Sequence, residues 1–331
     1  MPKILITTVP FSDKNRLPLE LLEKANINYL INPLNKKLTE DELSEIVADF
    51  DVIIAGTEPI TKKVMDAATN LKMISRVGIG LDSVDLLEAE KRGVIVSYTP
   101  DAPAPAVAEL TLGLMITILR SVQLSNMEMH NGKWHRLFGR RLSEITVGII
   151  GVGRIGKGVI EHLKSFGSVS ILLNDTGSHN QDWHNIEKEC NIEWVDKETI
   201  YQQADIVTIH TPLTAQTKNM VKKEQLMKMK EDAIIINTAR GGIINEDDLY
   251  EIMQAGHLSG AAIDVFDFEP YAGKLCEIER CILTSHMGSM SIDCRARMEI
   301  EATEEAVRFL TNQPLKGVAP EEEYAVQREG L

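Results

Sequence analysis

The sequence predicts an α/β protein with two parallel sheets, on three observations. Short apolar runs alternate with stretches of helical spacing, the pattern of βαβ units. The alternation occurs twice, before and after a Pro- and Ala-rich stretch that begins at Pro100. The chain has 331 residues, too long for one hydrophobic core and comfortable for two domains, since single cores stop growing near ~250–300 residues.

In the first alternation, KILITT, VIIAGT, KMISRVG and VIVSY predict strands within residues 1–100. Pro100, Pro103 and Pro105 mark a crossover, after which one long apolar helix is expected from Ala106 to about Asn131. The runs ITVGII, VSILLN, DIVTIH, AIIIN and GAAIDV predict the second sheet, with helices near 155–166, 222–230 and 246–255. Residues 291–310 have helical period, with Met298, Ala302, Val307 and Leu310 among the apolar positions. The tail QPLKGVAPEEEYAVQREGL is polar and is expected to be loosely ordered or packed on a partner.

Composition narrows the partners. At 44% hydrophobic and 25% charged residues the chain has enough apolar content to fold as a soluble globular protein. A formal net charge of -14, with no Lys/Arg-rich block, argues against nucleic acid. The start MPKILITTVP has no long apolar core and no small-residue cleavage site. The longest apolar run, LTLGLMITIL, is about half the ~20 residues of a membrane span, so a cytoplasmic protein without a membrane partner is expected. Cys190, Cys276, Cys281 and Cys294 show neither CxxC pairing nor a histidine at zinc-ligand spacing, so they read as reduced thiols and no metal is expected.

The segment ITVGIIGVGRIGKGVIEHL places Gly151, Gly153 and Gly156 as GxGxxG after a strand and at the opening of a helix. The mechanics predict that Gly151 makes the tight turn, Gly153 lets a pyrophosphate approach and Gly156 allows helix to pack closely on strand. Arg154, Ile155 and Gly156 then begin a helix whose free N–H groups face the phosphates. The next strand ends at Asp175, nineteen residues beyond Gly156, where a carboxylate accepts from ribose hydroxyls and repels a 2′-phosphate. The following TGSHN has no Arg or Lys, so NAD rather than NADP is expected.

Three further segments each end a strand, at the edge where open α/β sheets bind ligands. They carry Arg240 in NTARGGIINEDDL, Glu269 in DVFDFEP and His286 in SHMGS. Their chemistry is complementary for moving a hydride between nicotinamide and a 2-keto acid. The planar fork of arginine suits a carboxylate and a carbonyl oxygen. Histidine cycles a proton near neutral pH, and a carboxylate on its far nitrogen fixes the tautomer and favours the imidazolium.

With these segments the chain resembles the D-isomer-specific 2-hydroxyacid dehydrogenases, and most closely their phosphoglycerate dehydrogenase branch. The likeness covers about residues 50–312 and rests on SRVGIGLDSVD, VAELTLGLM, GKWHR, VGIIGVGRIG, HTPLTAQT, NTARGGIINEDDL, DVFDFEP and SHMGS in the family's order. The resemblance implies two Rossmann-like domains. An NAD-binding doubly wound parallel sheet, 101–291, is inserted in a flavodoxin-like substrate domain, 1–100 plus 292–331, with the active site between them. It implies that Arg240 binds substrate, Glu269 pairs with His286 and His286 is the acid/base. It further implies that Val77 and Gly78 offer N–H groups to the substrate carboxylate, and that His210, Pro212, Thr238 and Asp264 line the NAD site. The helix at 106–131 is expected to be the arm of a homodimer.

The sequence also departs from that branch. Where an arginine usually meets the substrate phosphate, this chain has Ala55, with Glu58 nearby. Glu58 is expected either to select a hydroxylated or cationic distal group or to cap the helix after Pro59. Arg136 in GKWHR is a basic position for an anionic group. The expected substrate pair is therefore 3-phosphoglycerate and its keto acid, or alternatively glyoxylate, hydroxypyruvate or a sugar-derived acid. Formate oxidation is disfavoured because Glu269 is kept, and an NAD-sensing corepressor of the C-terminal-binding-protein type is the alternative of another class.

Overall fold

The computed structural model describes residues 2–177 and 191–329. The chain divides into two compact units, Met1–Pro103 with Met290–Leu331, and Ala104–Ser289. Cys190 and Ser178, His179 and Asn180 of the TGSHN stretch lie outside the described residues, as do Gly330 and Leu331.

In the first unit, β1 (Lys3–Ile6), β2 (Asn28–Ile31), β3 (Val52–Ala55), β4 (Met73–Arg76) and β5 (Ile95–Ser97) form a parallel sheet in the order β2-β1-β3-β4-β5. This is the flavodoxin-like order. β3 and β4 are buried at every position, as central parallel strands covered on both faces must be. The helices between strands are α1 (Leu17–Lys24), α2 (Glu40–Ile46), α3 (Lys62–Ala67) and α4 (Leu86–Arg92). A capping box of Thr39 and Glu42 starts α2. Asp85 caps α4, which stops at Gly93 because that residue takes a left-handed φ of 67°.

The second unit runs α5 (Ala104–Leu119), α6 (Val122–His130), β6 (Thr146–Ile150), α7 (Arg154–Lys164), β7 (Ser170–Asn174), β8 (Asn191–Trp194), α8 (Lys197–Gln203), β9 (Ile206–Ile209), α9 (Lys223–Lys228), β10 (Ile234–Asn237), α10 (Glu246–Gln254), β11 (Gly260–Ile263) and β12 (Cys281–Leu283). Its sheet is parallel throughout, in the order β12-β11-β10-β9-β6-β7-β8. The direction of winding reverses between β6 and β9, the crevice where doubly wound sheets take their ligands. Side chains alternate between two cores, one on each face: along β10, Ile234 and Ile236 join Met115 and Leu163, while Ile235 joins Leu249 and Ile252.

The single helix expected over 106–131 is two helices, bent by 63°. Ser121 holds a left-handed φ of 49°, which a continuing helix cannot contain. The carbonyl of Leu119 instead accepts from Arg140 N at 3.1 Å, so the returning chain satisfies the end of α5. Val107, Ala108, Thr111, Leu114, Met115 and Leu119 form the buried stripe of α5, and α6 buries no residue. Among the described residues no single helix is long and apolar enough to cross a membrane.

The chain returns to the first unit through α11 (Ile292–Leu310), capped by Ser291 and packed on α1, β3 and β4. The tail is ordered within the chain through residue 329. Its backbone is clamped where buried Glu305 accepts from Lys316 N at 2.9 Å and Gly317 N at 3.0 Å. It then forms α12 (Glu321–Arg328) on α4, where Gln327 accepts from Leu86 N at 2.8 Å and donates to Val84 O at 2.7 Å. A polar sequence is ordered here by hydrogen bonds to backbone together with the burial of Ala319 and the packing of Tyr324 on the core.

Candidate functional site

The glycine turn joins β6 to α7 at the point where winding reverses. Gly151 takes a φ of 93°, and a Cβ there would lie 2.5 Å from the carbonyl oxygen of His210, so two crossovers touch at this residue. A Cβ on Gly156 would lie 2.2 Å from the Gly151 carbonyl oxygen, whereas Gly153 faces open space. These are the tight turn, the close packing and the clear approach that the motif requires. Gly153, the N-cap of α7, has no side chain to cap the start of the helix, where the positive end of the helix dipole lies.

Asp175 follows β7 and accepts from Val152 N at 2.5 Å and from Gly177 N at 2.9 Å. One bond to each carboxylate oxygen leaves a second lone pair on each for a ribose hydroxyl. His210, just past β9, bonds Thr208 Oγ1 through Nε2 at 3.0 Å. Burial pushes its pKa down to about 3, so the ring is neutral. Its Nδ1 and the neighbouring Thr211 hydroxyl are buried with no hydrogen-bond partner among the described residues. Such atoms carry a desolvation cost that a polar ligand relieves. Exposed Pro212 receives Thr217 Oγ1 on its carbonyl at 2.7 Å, and buried Thr238 lies 2.9 Å from the Thr111 hydroxyl. The reversal point therefore fits NAD, with a glycine turn and helix N-terminus for a pyrophosphate, a carboxylate for ribose and two buried polar atoms without a partner among the described residues.

Arg240, Glu269 and His286 follow β10, β11 and β12, which are neighbours in the sheet, so the three loops emerge on one edge. Asn237 shapes the first loop: its side chain donates to Arg240 O at 2.8 Å and accepts from Ala239 N at 3.0 Å. Arg240 is half-buried and donates from Nη1 to Ala239 O at 2.7 Å. Glu269 lies 2.9 and 3.0 Å from His286 Nδ1 through its two oxygens. A carboxylate only accepts, so Nδ1 is the N–H of the ring and Nε2 is left to exchange a proton with a ligand. His286 is 42% exposed at its side chain and adopts a left-handed φ of 50°.

Four of the residues expected at the site already have partners within the protein. Asp264 is 1% exposed. It accepts from Thr284 Oγ1 at 2.6 Å, Met287 N at 2.9 Å and Gly288 N at 2.9 Å, while its carbonyl receives His286 N at 2.8 Å. It is the clamp of the histidine loop. The amides of Val77 and Gly78 donate to Ala55 O at 2.9 Å and Thr99 Oγ1 at 2.8 Å. The next two amides, of Ile79 and Gly80, donate to no acceptor among the described residues. Parallel pairing continues one residue past β4 and uses up the first amide, a register the motif alone does not reveal. Glu58 is 2% exposed and neither caps α3 nor stands free: it accepts from Gly56 N at 2.8 Å and from the Thr7 hydroxyl. Arg136 lies exposed in the irregular segment after α6. Asn237 was missed as a site residue, although a polar residue closing the buried run IIIN is the visible sign of it.

Comparison with known proteins agrees with this construction. A family model for the NAD-binding domain of D-isomer-specific 2-hydroxyacid dehydrogenases matches residues 112–288. The chain is 35% identical over 301 residues to a hydroxypyruvate reductase from Thermotoga maritima, covering 87% of this chain and 96% of that protein. It is 38% identical over 258 residues to a D-3-phosphoglycerate dehydrogenase from Methanocaldococcus jannaschii, covering 76% of this chain and 48% of that one. The crystal structure of TT0316 protein from Thermus thermophilus matches with a TM-score of 0.86 at 29% identity, over 96% of this chain and 100% of that one. Glycine turn, acid at the second strand and an arginine, glutamate and histidine on three adjacent strand ends thus coincide with whole-chain likeness, and the chain belongs to the D-isomer-specific 2-hydroxyacid dehydrogenases, NAD-dependent oxidoreductases of 2-hydroxy acids.

Proposed function

We propose that the chain interconverts a short, unphosphorylated 2-keto acid such as hydroxypyruvate or glyoxylate and its D-2-hydroxy acid. The observation that carries the chemistry is the Glu269–His286 pair beside Arg240 on one sheet edge. When bound, NAD supplies the hydride donor or acceptor. His286 holds at Nε2 the proton that the developing alkoxide takes, and Glu269 keeps the ring in that tautomer. Arg240 holds the substrate carboxylate and carbonyl oxygen. Gly151, Gly153, Arg154, Ile155 and Gly156 form the pyrophosphate cradle, Asp175 binds ribose, and His210, Pro212 and Thr238 line the cofactor site. The open amides of Ile79 and Gly80 serve a carboxylate in place of Val77 and Gly78.

Two features support an unphosphorylated substrate. β3 ends at Ala55 and the turn after it carries a buried carboxylate, Glu58, where a phosphate would need a cation. The Thermotoga relative, matched over nearly its whole length, is a hydroxypyruvate reductase. The unit Ala104–Ser289 is assigned to NAD and the other unit to substrate. The free thiols of Cys276, Cys281 and Cys294 suit a reducing cytoplasm. A homodimer is assigned to the exposed apolar surface of α6 and the segment after it. The test is NADH oxidation against glyoxylate, hydroxypyruvate, 2-ketoglutarate and 3-phosphohydroxypyruvate. Hydroxypyruvate or glyoxylate is expected to give the highest kcat/KM, and preference for the phosphorylated acid would overturn the substrate and assign its phosphate to Arg136.

A further inference from the structure

We propose that Glu246 is a positioning residue for the reaction, acting through the Phe266–Asp267 peptide on the Glu269–His286 pair. The proposal rests on the roles given above to Arg240, Glu269 and His286. Glu246 is the first residue of α10 and is half-buried, and its Oε1 accepts from Asp267 N at 2.8 Å. The other two acids of that turn face elsewhere: Asp247 accepts from Lys274 Nζ at 2.8 Å and Asp248 from Lys223 N at 2.9 Å.

The amide before Asp267 belongs to the catalytic pair, since Phe266 N donates to Glu269 Oε1 at 3.2 Å. Two consecutive amides therefore go to two different carboxylates. With Asp267 N–H held by Glu246, that amide cannot draw Glu269 away from the imidazole. The same peptide bears the arginine loop. A Cβ on Gly241 would lie 2.1 Å from the Phe266 carbonyl, and one on Gly242 would lie 2.7 Å from Asp267 Oδ1. The loops of Arg240 and Glu269 thus rest on one peptide, and Glu246 pins it from the side of α10. Release of that peptide displaces guanidinium and imidazole relative to each other, and a misplacement of about 1 Å costs up to about a hundredfold in rate.

The experiment uses the full chain. Glu246→Leu is expected to lower kcat roughly ten- to a hundredfold while the Kd for NADH, read by fluorescence, stays unchanged. Glu246→Gln keeps an acceptor oxygen in the same place and is expected to restore kcat. In a Glu269→Gln background Glu246→Leu is expected to add clearly less than its full loss, because one of the two paths runs through Glu269. Wild-type kcat in Glu246→Leu, a Gln variant as slow as the Leu variant, or losses that multiply in the double variant would each overturn the proposal. If Glu269→Gln and His286→Ala keep full activity, the reading of the pair fails and the proposal falls with it. If those two are inactive and Glu246→Leu is not, the proposal alone falls.

Discussion

At the scale of single residues, the site is built by spending polar groups on backbone. His286 sits at a φ of 50°, a conformation that costs a side chain other than glycine about 1–2 kcal/mol. The three bonds that Asp264 accepts from residues 284–288, and the bond its carbonyl takes from His286 N, hold the loop there. His286→Ala is expected to lower kcat by roughly 10²- to 10⁴-fold, the usual scale of acid/base help, with NADH binding retained in a fluorescence titration. His286→Asn should be as inactive and unfold at a higher temperature than the alanine variant, because asparagine tolerates the left-handed region. Near-normal turnover in both would remove His286 from the mechanism. The residue types of this site were legible in the sequence because arginine, glutamate and histidine each closed an apolar run. The partners of Asp264, Val77, Gly78 and Glu58 were not, since a motif states which side chain is present and not which neighbour has already claimed it.

Elements obey the same division. The central strands were legible because parallel strands covered on both faces read as unbroken apolar runs, as in IIIN of β10 and VIIA of β3. The edge strands β2 and β8, four residues each with alternating exposure, carry no such run and went unpredicted. The break between α5 and α6 was hidden because nothing in ITILRSVQL forbids a helix, and the bend depends on chain returning from residue 140. Asp205 shows what joins elements that packing alone leaves loose. It is buried, and its carboxylate accepts from Thr146 N at 2.7 Å, Lys230 Nζ at 3.0 Å and Arg140 Nη2 at 3.0 Å, tying the starts of β6, β9 and β10. Burial acts to raise its pKa, but the bonds from Thr146, Lys230 and Arg140 outweigh it and hold the group below the ordinary aspartate value. A carboxylate with a lowered folded pKa stabilises above its unfolded value, and that contribution is lost as pH falls through the folded one. Asp205→Asn is therefore expected to cost about 3 kcal/mol at neutral pH, with the gap to wild type closing in acid below the ordinary aspartate range. Denaturant melts at neutral and acid pH measure it, and a gap independent of pH would show that charge is not the source.

At the scale of the whole molecule, one stretch of sequence carries several exposed apolar side chains. Val122, Met127 and Met129 of α6 and Trp134 and Phe138 beyond it are all exposed, Trp134 to 79%. On the proposed homodimer this stretch is the association surface. Trp134→Ser with Phe138→Ser is expected to convert a dimer to a monomer in sedimentation velocity, with the fold kept by circular dichroism. An unchanged sedimentation coefficient would place the interface elsewhere.

The division of the chain also has a consequence for synthesis. The second unit, Ala104–Ser289, is continuous, whereas the first is completed only by α11, which packs on β3 and β4. At about 5–20 residues per second, a ribosome releases β3 and β4 about ten seconds or more before α11. The first segment to emerge is thus the last to be finished. The intervening unit can fold meanwhile, while the five strands of the first sheet wait with the face of β3 and β4 that α11 covers exposed to water, an interval in which the chain is open to aggregation.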